Sequence, residues 1–378
     1  MTVQDCCVIV PTIRNFGFLG AYFANAREHG FDVGRLHVVI LTEDFCDKAA
    51  MEAMLREQGV NGDVLNEMDR LRWLRGLELE SYADLIPRRS HAETSFGLLY
   101  MWANRRLEYG WFIDDDTSPV HGQDFFGDHL RNLQYRGSVD VLSSDKRWVN
   151  VLFRTFQRDG LYPRGYPYGA MKESTKIRCG PADEVVASQG LWTSVPDLDA
   201  IRLLSEGALD GLATTRMADS DYGDSFVVDS HNYLTVSSMN LAFRREIIPA
   251  FYQFPMDDNQ WKIGRYDDIW SGVVLKRVCD VLGKSIITGR PFCEHNKAPR
   301  NVFKDLNAEA PALELNEHLW EVVDGVNSTG SSYAEVCLDM ATALRLVQTP
   351  WINADFVRFS ARCLERWVDC LTLVERKF

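Results

Sequence analysis

Three consecutive aspartates, Asp114-Asp115-Asp116, follow directly on the apolar run Trp111-Phe112-Ile113. Adjacent carboxylates raise one another's pKa unless something neutralises them. A hard divalent cation such as Mn2+ or Mg2+ takes carboxylate oxygens and bridges to phosphate; a solvated acidic loop is the plain alternative. The surrounding pattern decides between them. Val8-Ile9-Val10, ending at Pro11, and Leu36–Leu41 read as buried strands, as does Trp111-Phe112-Ile113. Residues 18–29, 48–58 and 94–108 read as helices, the last with Phe96, Leu99, Ala103 and Leu107 on one face. Alternating strands and helices predict a mainly parallel sheet, and such sheets bind ligands beyond the C-terminal ends of their strands. Pro11 to Asn15, Glu43-Asp44 and Asp114 to Asp116 all fall at such ends, which favours the metal.

The 378 residues include 54 Asp and Glu against 41 Lys and Arg, a formal net charge of −13. That field repels phosphate backbones and argues against a nucleic-acid partner. It also repels a diphosphate, so a diphosphate substrate requires a cation or local basic residues. Arg14 and Arg88-Arg89 are candidates. The nine cysteines are scattered and contain no CxxC, so neither a disulfide framework nor a structural zinc site is expected. No signal peptide is visible and no apolar run is long enough to span a bilayer, which predicts a cytoplasmic protein.

Further along, the segment 145–235 is rich in Gly, Pro and Tyr and reads as long loops over the site; regular patterning returns over 238–289. The turn Tyr162–Gly169 (YPRGYPYG) presents Arg164, either as an exposed loop arginine or as a diphosphate clamp. Asp267-Asp268 precede a helical pattern. They suit helix capping, or the work of carboxylates at a reacting sugar, taking a proton or stabilising positive charge at the anomeric carbon. His295 can complete an oxygen-rich metal site or be structural, and Lys297 beside it suits a phosphate. Val336, Met340, Ala343 and Val347, then Ile352, Phe356, Phe359, Cys363, Trp367, Cys370 and Val374, predict two helices parted by Thr349-Pro350. They pack on the core or form a subunit contact, and a homo-oligomer is expected.

Taken together, the chain resembles the reversibly glycosylated polypeptide family, which includes the plant UDP-arabinopyranose mutases. The resemblance rests on Val10–Asn15 (VPTIRN), Ile113–Asp116 (IDDD), Arg164–Pro167 (RGYP), Gly190–Trp192 (GLW) with Pro196-Asp197 and Asp199-Ala200, Met239–Phe243 (MNLAF), Gly264–Asp268 (GRYDD) and His295–Ala298 (HNKA). These occur in the family's order from residue 8 to about 306. The resemblance implies a GT-A-like catalytic domain over 1–310 with a helical extension over 311–378. It implies dependence on Mn2+ or Mg2+, without flavin, and pyranose–furanose interconversion of a nucleotide sugar. By the same resemblance Asp114, Asp116 and His295 hold the metal, and Asp115 belongs to the diphosphate site with Asp114. Thr12, Arg14, Glu43 and Asp44 sit near the nucleoside, and Asp267-Asp268 face the sugar. Arg164 is the position at which family members become glycosylated. Arg89, Asn240 and Lys297 are expected to contact substrate, and Trp192 with the 162–168 loop to close over it. Where plant members carry a second arginine seven residues after the first, this chain has Met171 followed by Lys172. UDP and GDP sugars both remain open. So do two other readings: a glycosyltransferase with a separate acceptor, and a non-catalytic nucleotide-sugar binder.

Overall fold

The computed structural model describes residues 4–14, 16–155, 160–217, 223–256, 259–348 and 353–378. Asn15, Thr349-Pro350 and Ile352, which entered the sequence reading, lie outside these residues.

Four parallel strands form the N-terminal half of one sheet: β1 (Cys6–Pro11), β2 (Leu36–Leu41), β3 (Asn61–Leu65) and β4 (Tyr109–Ile113), in the order β3-β2-β1-β4. The connections carry helices α1 (Phe18–Glu28), α2 (Lys48–Glu57), α3 (Glu67–Gly76) and α4 (Thr94–Ala103). β1 and β2 are nearly continuous apolar runs because helices cover both of their faces, and Val8, Ile9, Val39 and Ile40 have no solvent exposure. Each such side chain contributes roughly 1.5–3 kcal/mol by leaving water. The helix expected over 94–108 stops at Ala103, where the chain turns through Asn104 to start β4.

The C-terminal half adds β5 (Thr117–Pro119), α5 (Phe125–Leu133), β6 (Ser138–Ser144), β7 (Thr175–Pro181), β8 (Glu184–Ser194), α6 (Ala200–Ser205), β9 (Phe226–Val228), β10 (Asn240–Arg244), α7 (Asp267–Leu282) and β11 (Lys284–His295). The sheet continues β4-β10-β8-β11-β9-β6-β7, and β5 pairs with β11. It is mixed, with seven of its eleven strands running in one direction. β10 runs antiparallel between β4 and β8, while β8 and β11 are parallel to each other. The starts of β10 and the ends of β1, β4, β8 and β11 therefore share one rim.

The loop reading of 145–235 needs correction, since β8 is an eleven-residue central strand inside it. Its apolar pattern is broken by Ser188, which is fully buried because His129 and Asn132 of α5 bond its hydroxyl at 2.9 Å. A polar residue satisfied by a distant helix gives no periodic signal.

Three helices finish the chain: α8 (Val302–Asp324), α9 (Tyr333–Arg345) and α10 (Ala354–Lys377). The expected boundary at 310/311 falls inside α8. On one side of it Asp305 and Glu309 hold Arg265 at 3.3 and 2.9 Å. On the other, Asn316 bonds the carbonyl of Gly165 and Glu317 accepts from the amides of Tyr168 and Gly169. This helix thus braces the same rim from both halves. No described helix is long and apolar enough to cross a membrane.

Candidate active site

The shared rim encloses a cleft of about 670 Å³. The strand pairing that builds it is specific. β5 lies antiparallel on β11 with Thr117 opposite His295, and the amide of Asn296 donates to the carbonyl of Asp116 at 2.7 Å. The aspartate triplet, next to β5 in sequence, is thereby set against His295, about 180 residues away. His295 Nε2 lies 3.7 Å from Asp116 Oδ2. On its other side His295 Nδ1 donates to the carbonyl of Val195 at 2.8 Å, which fixes the ring with Nε2 toward the carboxylate. A ring nitrogen and a carboxylate oxygen at that distance would both serve as ligands to a cation that takes the place of the proton between them.

The third expected ligand is turned aside. Asp114 Oδ1 lies 3.5 Å from His91 Nε2, and among the described residues no three His, Cys, Asp or Glu side chains gather around one point. Asp115 accepts from the Thr12 hydroxyl at 2.8 Å and lies 3.7 Å from Arg14, which also reaches within 4.0 Å of Asp116. Burial raises the Asp115 carboxyl above its ordinary pKa despite Thr12 and Arg14. At Asp116 burial acts the same way, but His295 and Arg14 outweigh it and hold the carboxyl low.

The sugar-facing side is ordered by α7. Its N-cap is Tyr266, so Asp267 and Asp268 occupy the first helical turn and cap nothing with their side chains. Asp267 bonds His91 at 3.0 Å; burial opposes its ionisation, and His91 wins, keeping it low. Asp268 sits behind Arg164, and there burial prevails over the guanidinium and raises the pKa. Adjacent carboxyls driven in opposite directions are a proton-handling arrangement.

Arg164 donates from Nε to Asp197 at 2.9 Å and from a terminal nitrogen to the carbonyl of Arg265, and lies 3.4 Å from Asp268. Burial opposes its charge, yet Asp197 and Asp268 together keep it firmly protonated. The turn that presents it depends on Gly165, at φ +86°. A Cβ there would lie 2.4 Å from Ile269 Cγ2, so only glycine lets the turn seat on α7. The rings of this turn face inward. Tyr162 and Tyr166 are buried, with Tyr166 packed on Trp148, so they do not form the expected lid.

Lys297 approaches the same Asp197. Its ammonium is buried, 3.8 Å from Asp197, with no hydrogen-bond partner. Burial pushes its pKa down to about 8, with Asp197 opposing and Arg300, Arg265 and Arg164 adding to the effect. Arg265, Arg300 and Lys304 also line the cleft, so basic residues share it with the acidic ones.

Of the other expected residues, Thr12, Arg14, Glu43 and Arg89 line the cleft. Glu43 is buried and accepts from the Arg89 amide at 2.9 Å. Three do not line it. Trp192 is 1% exposed within β8 and belongs to the core, not to a lid. Asn240 is buried and donates to the carbonyls of Leu191 and Pro291, tying β10 to β8 and β11 behind the site; its neighbour Met239 lines the cleft instead. Asp44 is exposed and accepts from the Met68 amide at 3.4 Å. Arg88 also turns away, to Glu67 at 2.8 Å.

Sequence reasoning missed His91, Glu93 and Asp197 as site residues. Burial pushes Glu93 up to about 7; Arg70 opposes this and Glu43 adds to it. Asp197 had a signal, since it belongs to a segment that resembles the family. His91 had none, being 176 residues from its partner Asp267.

A family model described as reversibly glycosylated polypeptide matches residues 3–375. Among similar proteins, probable UDP-arabinopyranose mutase 2 of Solanum tuberosum is 30% identical over 319 residues, covering 82% of this chain and 75% of that one. UDP-arabinopyranose mutase 1 of Arabidopsis thaliana is 29% identical over 314 residues, covering 82% and 76%. Among solved structures, S. aureus TarS 1–349 in complex with UDP-GlcNAc aligns with TM-score 0.42 and 14% identity, covering 99% of this chain and 91% of that one. The mannosyltransferase PcManGT from Pyrobaculum calidifontis, in complex with GDP-Man and Mn2+, aligns with TM-score 0.39 and 13% identity, covering 99% and 86%.

Proposed function

Since this chain belongs to the reversibly glycosylated polypeptide family, we propose that it interconverts the pyranose and furanose forms of a nucleoside-diphosphate sugar. The relatives' names favour a UDP-linked pentose. The observation that carries this reading is the buried ammonium of Lys297, which among the described residues has no hydrogen bond and only Asp197 near it at 3.8 Å, in a cleft lined also by the aspartate triplet and Arg164. A buried cation without an acceptor is costly in an isolated protein and is satisfied by phosphate oxygens.

In this reading the diphosphate lies between Lys297 and the triplet, and the sugar extends toward Asp267 and Asp268. Asp116 and His295 are the residues that would hold a divalent cation, with Asp114 joining them if it leaves His91. The ion would supply Lewis-acid stabilisation of the departing diphosphate. The chain's own residues do the rest. Lys297 neutralises charge on the leaving group. Asp267, ionised, stabilises positive charge at the anomeric carbon. Asp268, with its raised pKa, handles the proton as the ring opens and recloses through another hydroxyl. Arg164, held charged by two carboxylates, acts as an electrostatic clamp. Attack by its nitrogen on the sugar requires prior loss of a proton to Asp197 or Asp268.

The test is incubation of the purified protein with Mn2+ and a panel of UDP- and GDP-linked pentoses and hexoses, with no acceptor, followed by proton NMR of the anomeric signals. A furanose product supports the mutase. Transfer only when an acceptor is added supports a glycosyltransferase, and saturable binding without turnover of any kind supports a binding protein.

A further inference from the structure

At the opposite end of the sheet a second cavity, of about 590 Å³, opens where α4, the end of β10, α9 and α10 meet. Its apolar wall is Trp102, Pro249, Val368 and Leu371. Four polar atoms of its lining residues are buried without a hydrogen bond: Nε of Arg244, Nε of Arg245, Oε1 of Glu246 and the hydroxyl of Tyr333. Tyr333 is more than nine-tenths buried. Buried polar atoms are nearly always bonded, and four unbonded ones belong to residues around this one cavity.

The charges specify that ligand. Arg244 gives its terminal nitrogens to Glu184 at 3.0 Å and to the carbonyl of Leu133 at 2.8 Å. Arg105 donates to the carbonyl of Glu375. Arg245 differs. It stacks 4.2 Å from the Trp102 ring centroid and bonds the Trp102 carbonyl, but it forms no ion pair with any described carboxylate. Burial lowers its pKa, against the pull of Glu375. Glu246, next in sequence, also forms no ion pair with any described residue. Arg245 and Glu246 thus line a single apolar-walled cavity without an ion pair between them, beside Arg105, Arg244, Glu108 and Glu375 of the same lining. A purely anionic ligand would leave Glu246 opposed, and a purely cationic one would leave Arg245 opposed.

We propose that this cavity binds a small zwitterion of the α-amino acid type, with its carboxylate on Arg245, its ammonium on Glu246 and an apolar side chain against Val368 and Leu371. Pockets of this size hold ligands of that class. The site is separate from the cleft: α4, ten residues or about 15 Å long, runs from the His91–Glu93 turn at one site to Trp102 at the other.

The experiment is calorimetric titration of the full chain with L-phenylalanine and L-leucine, beside 3-phenylpropionate and phenethylamine, which each lack one charge. The expected result is saturable binding of an amino acid, at least about tenfold weaker for either singly charged analogue. Glu246→Gln and Tyr333→Phe are expected to weaken it, and Asp116→Asn in the cleft to leave it unchanged. Arg245→Gln should abolish it; if that variant fails to fold, Glu246→Gln and Tyr333→Phe decide. Absence of saturable amino-acid binding, equal binding of 3-phenylpropionate, indifference to Glu246→Gln, or loss in Asp116→Asn would each overturn the proposal.

Discussion

Replacing Arg164 by methionine removes the cation from between Asp197 and Asp268, whose side chains are only 8% and 5% exposed. The loss is larger than that of a surface ion pair, because two desolvated carboxylates are left facing each other. Breaking a buried pair from one side costs about 3–5 kcal/mol. For a chain of this size that lowers the thermal midpoint by roughly 4–6 °C. Asp197 is the nearer partner, so Arg164→Met/Asp197→Asn should recover a substantial part of the loss, with a coupling energy on the order of 2 kcal/mol. Catalysis should not recover in the double variant, since the clamp is absent from both. Urea midpoints of the four proteins, read with turnover of the best nucleotide sugar, provide the cycle. Additive stability losses, or a midpoint unchanged by Arg164→Met, would refute the claim that these carboxylates exist to hold this guanidinium.

Other outcomes follow from the same geometry. Gly165→Ala places a Cβ 2.4 Å from Ile269 Cγ2 at a φ of +86°, and should cost about 1–3 kcal/mol in the urea midpoint; an unchanged midpoint would contradict the seating of the turn on α7. Glu93, buried and pushed up to about 7 from 4.5, keeps its proton in the folded state while the unfolded chain loses it. Stability therefore falls as pH rises between about 4.5 and 7, by on the order of 3 kcal/mol, and the penalty stays constant above that. Glu93→Gln should flatten this slope in denaturation curves at pH 5 and 8; parallel wild-type and variant slopes would assign it elsewhere. His91→Gln frees Asp114 and Asp267 from a shared partner and should lower kcat more than it raises KM, whereas unchanged kinetics would make His91 purely structural. Chelation should stop turnover and Mn2+ restore it, and Asp116→Asn should weaken Mn2+ binding at least about tenfold by calorimetry; unaltered Mn2+ affinity would take Asp116 out of the metal set.

What the sequence made legible is what the physics makes periodic. β1 and β2 are buried on both faces, so they stand out as apolar runs, and α9 and α10 bury one stripe each. The place of the aspartates at a strand end followed from that alternation alone. β3 escaped because Asn61-Gly62-Asp63 sits at the sheet edge, and β8 because its interior is broken by Ser188, whose hydroxyl α5 satisfies. Motif residues proved ambiguous in a different way. Trp192 and Asn240 sit in matching segments, yet they serve the strands behind the cleft, while their side-chain chemistry alone suggested substrate contact. His91 could not be found at all, because its partners come from β4 and α7 and only the folded sheet brings them together. The pairing of Asp116 with His295 was an expectation from resemblance. Its structural cause, the β5–β11 ladder, is three residue pairs long and leaves no mark in the pattern.

The central claim is that the bond between sugar and diphosphate is broken and remade in this cleft. Positional isotope exchange tests it directly. A UDP-pentose carrying 18O in the bridge between the anomeric carbon and the β-phosphorus is incubated with the protein and Mn2+, and the isotope's position is read by 31P NMR. The account predicts that 18O spreads into the non-bridging β-phosphate positions at least as fast as furanose forms, and that Lys297→Met slows both together. Furanose formation with the label still confined to the bridge would contradict it.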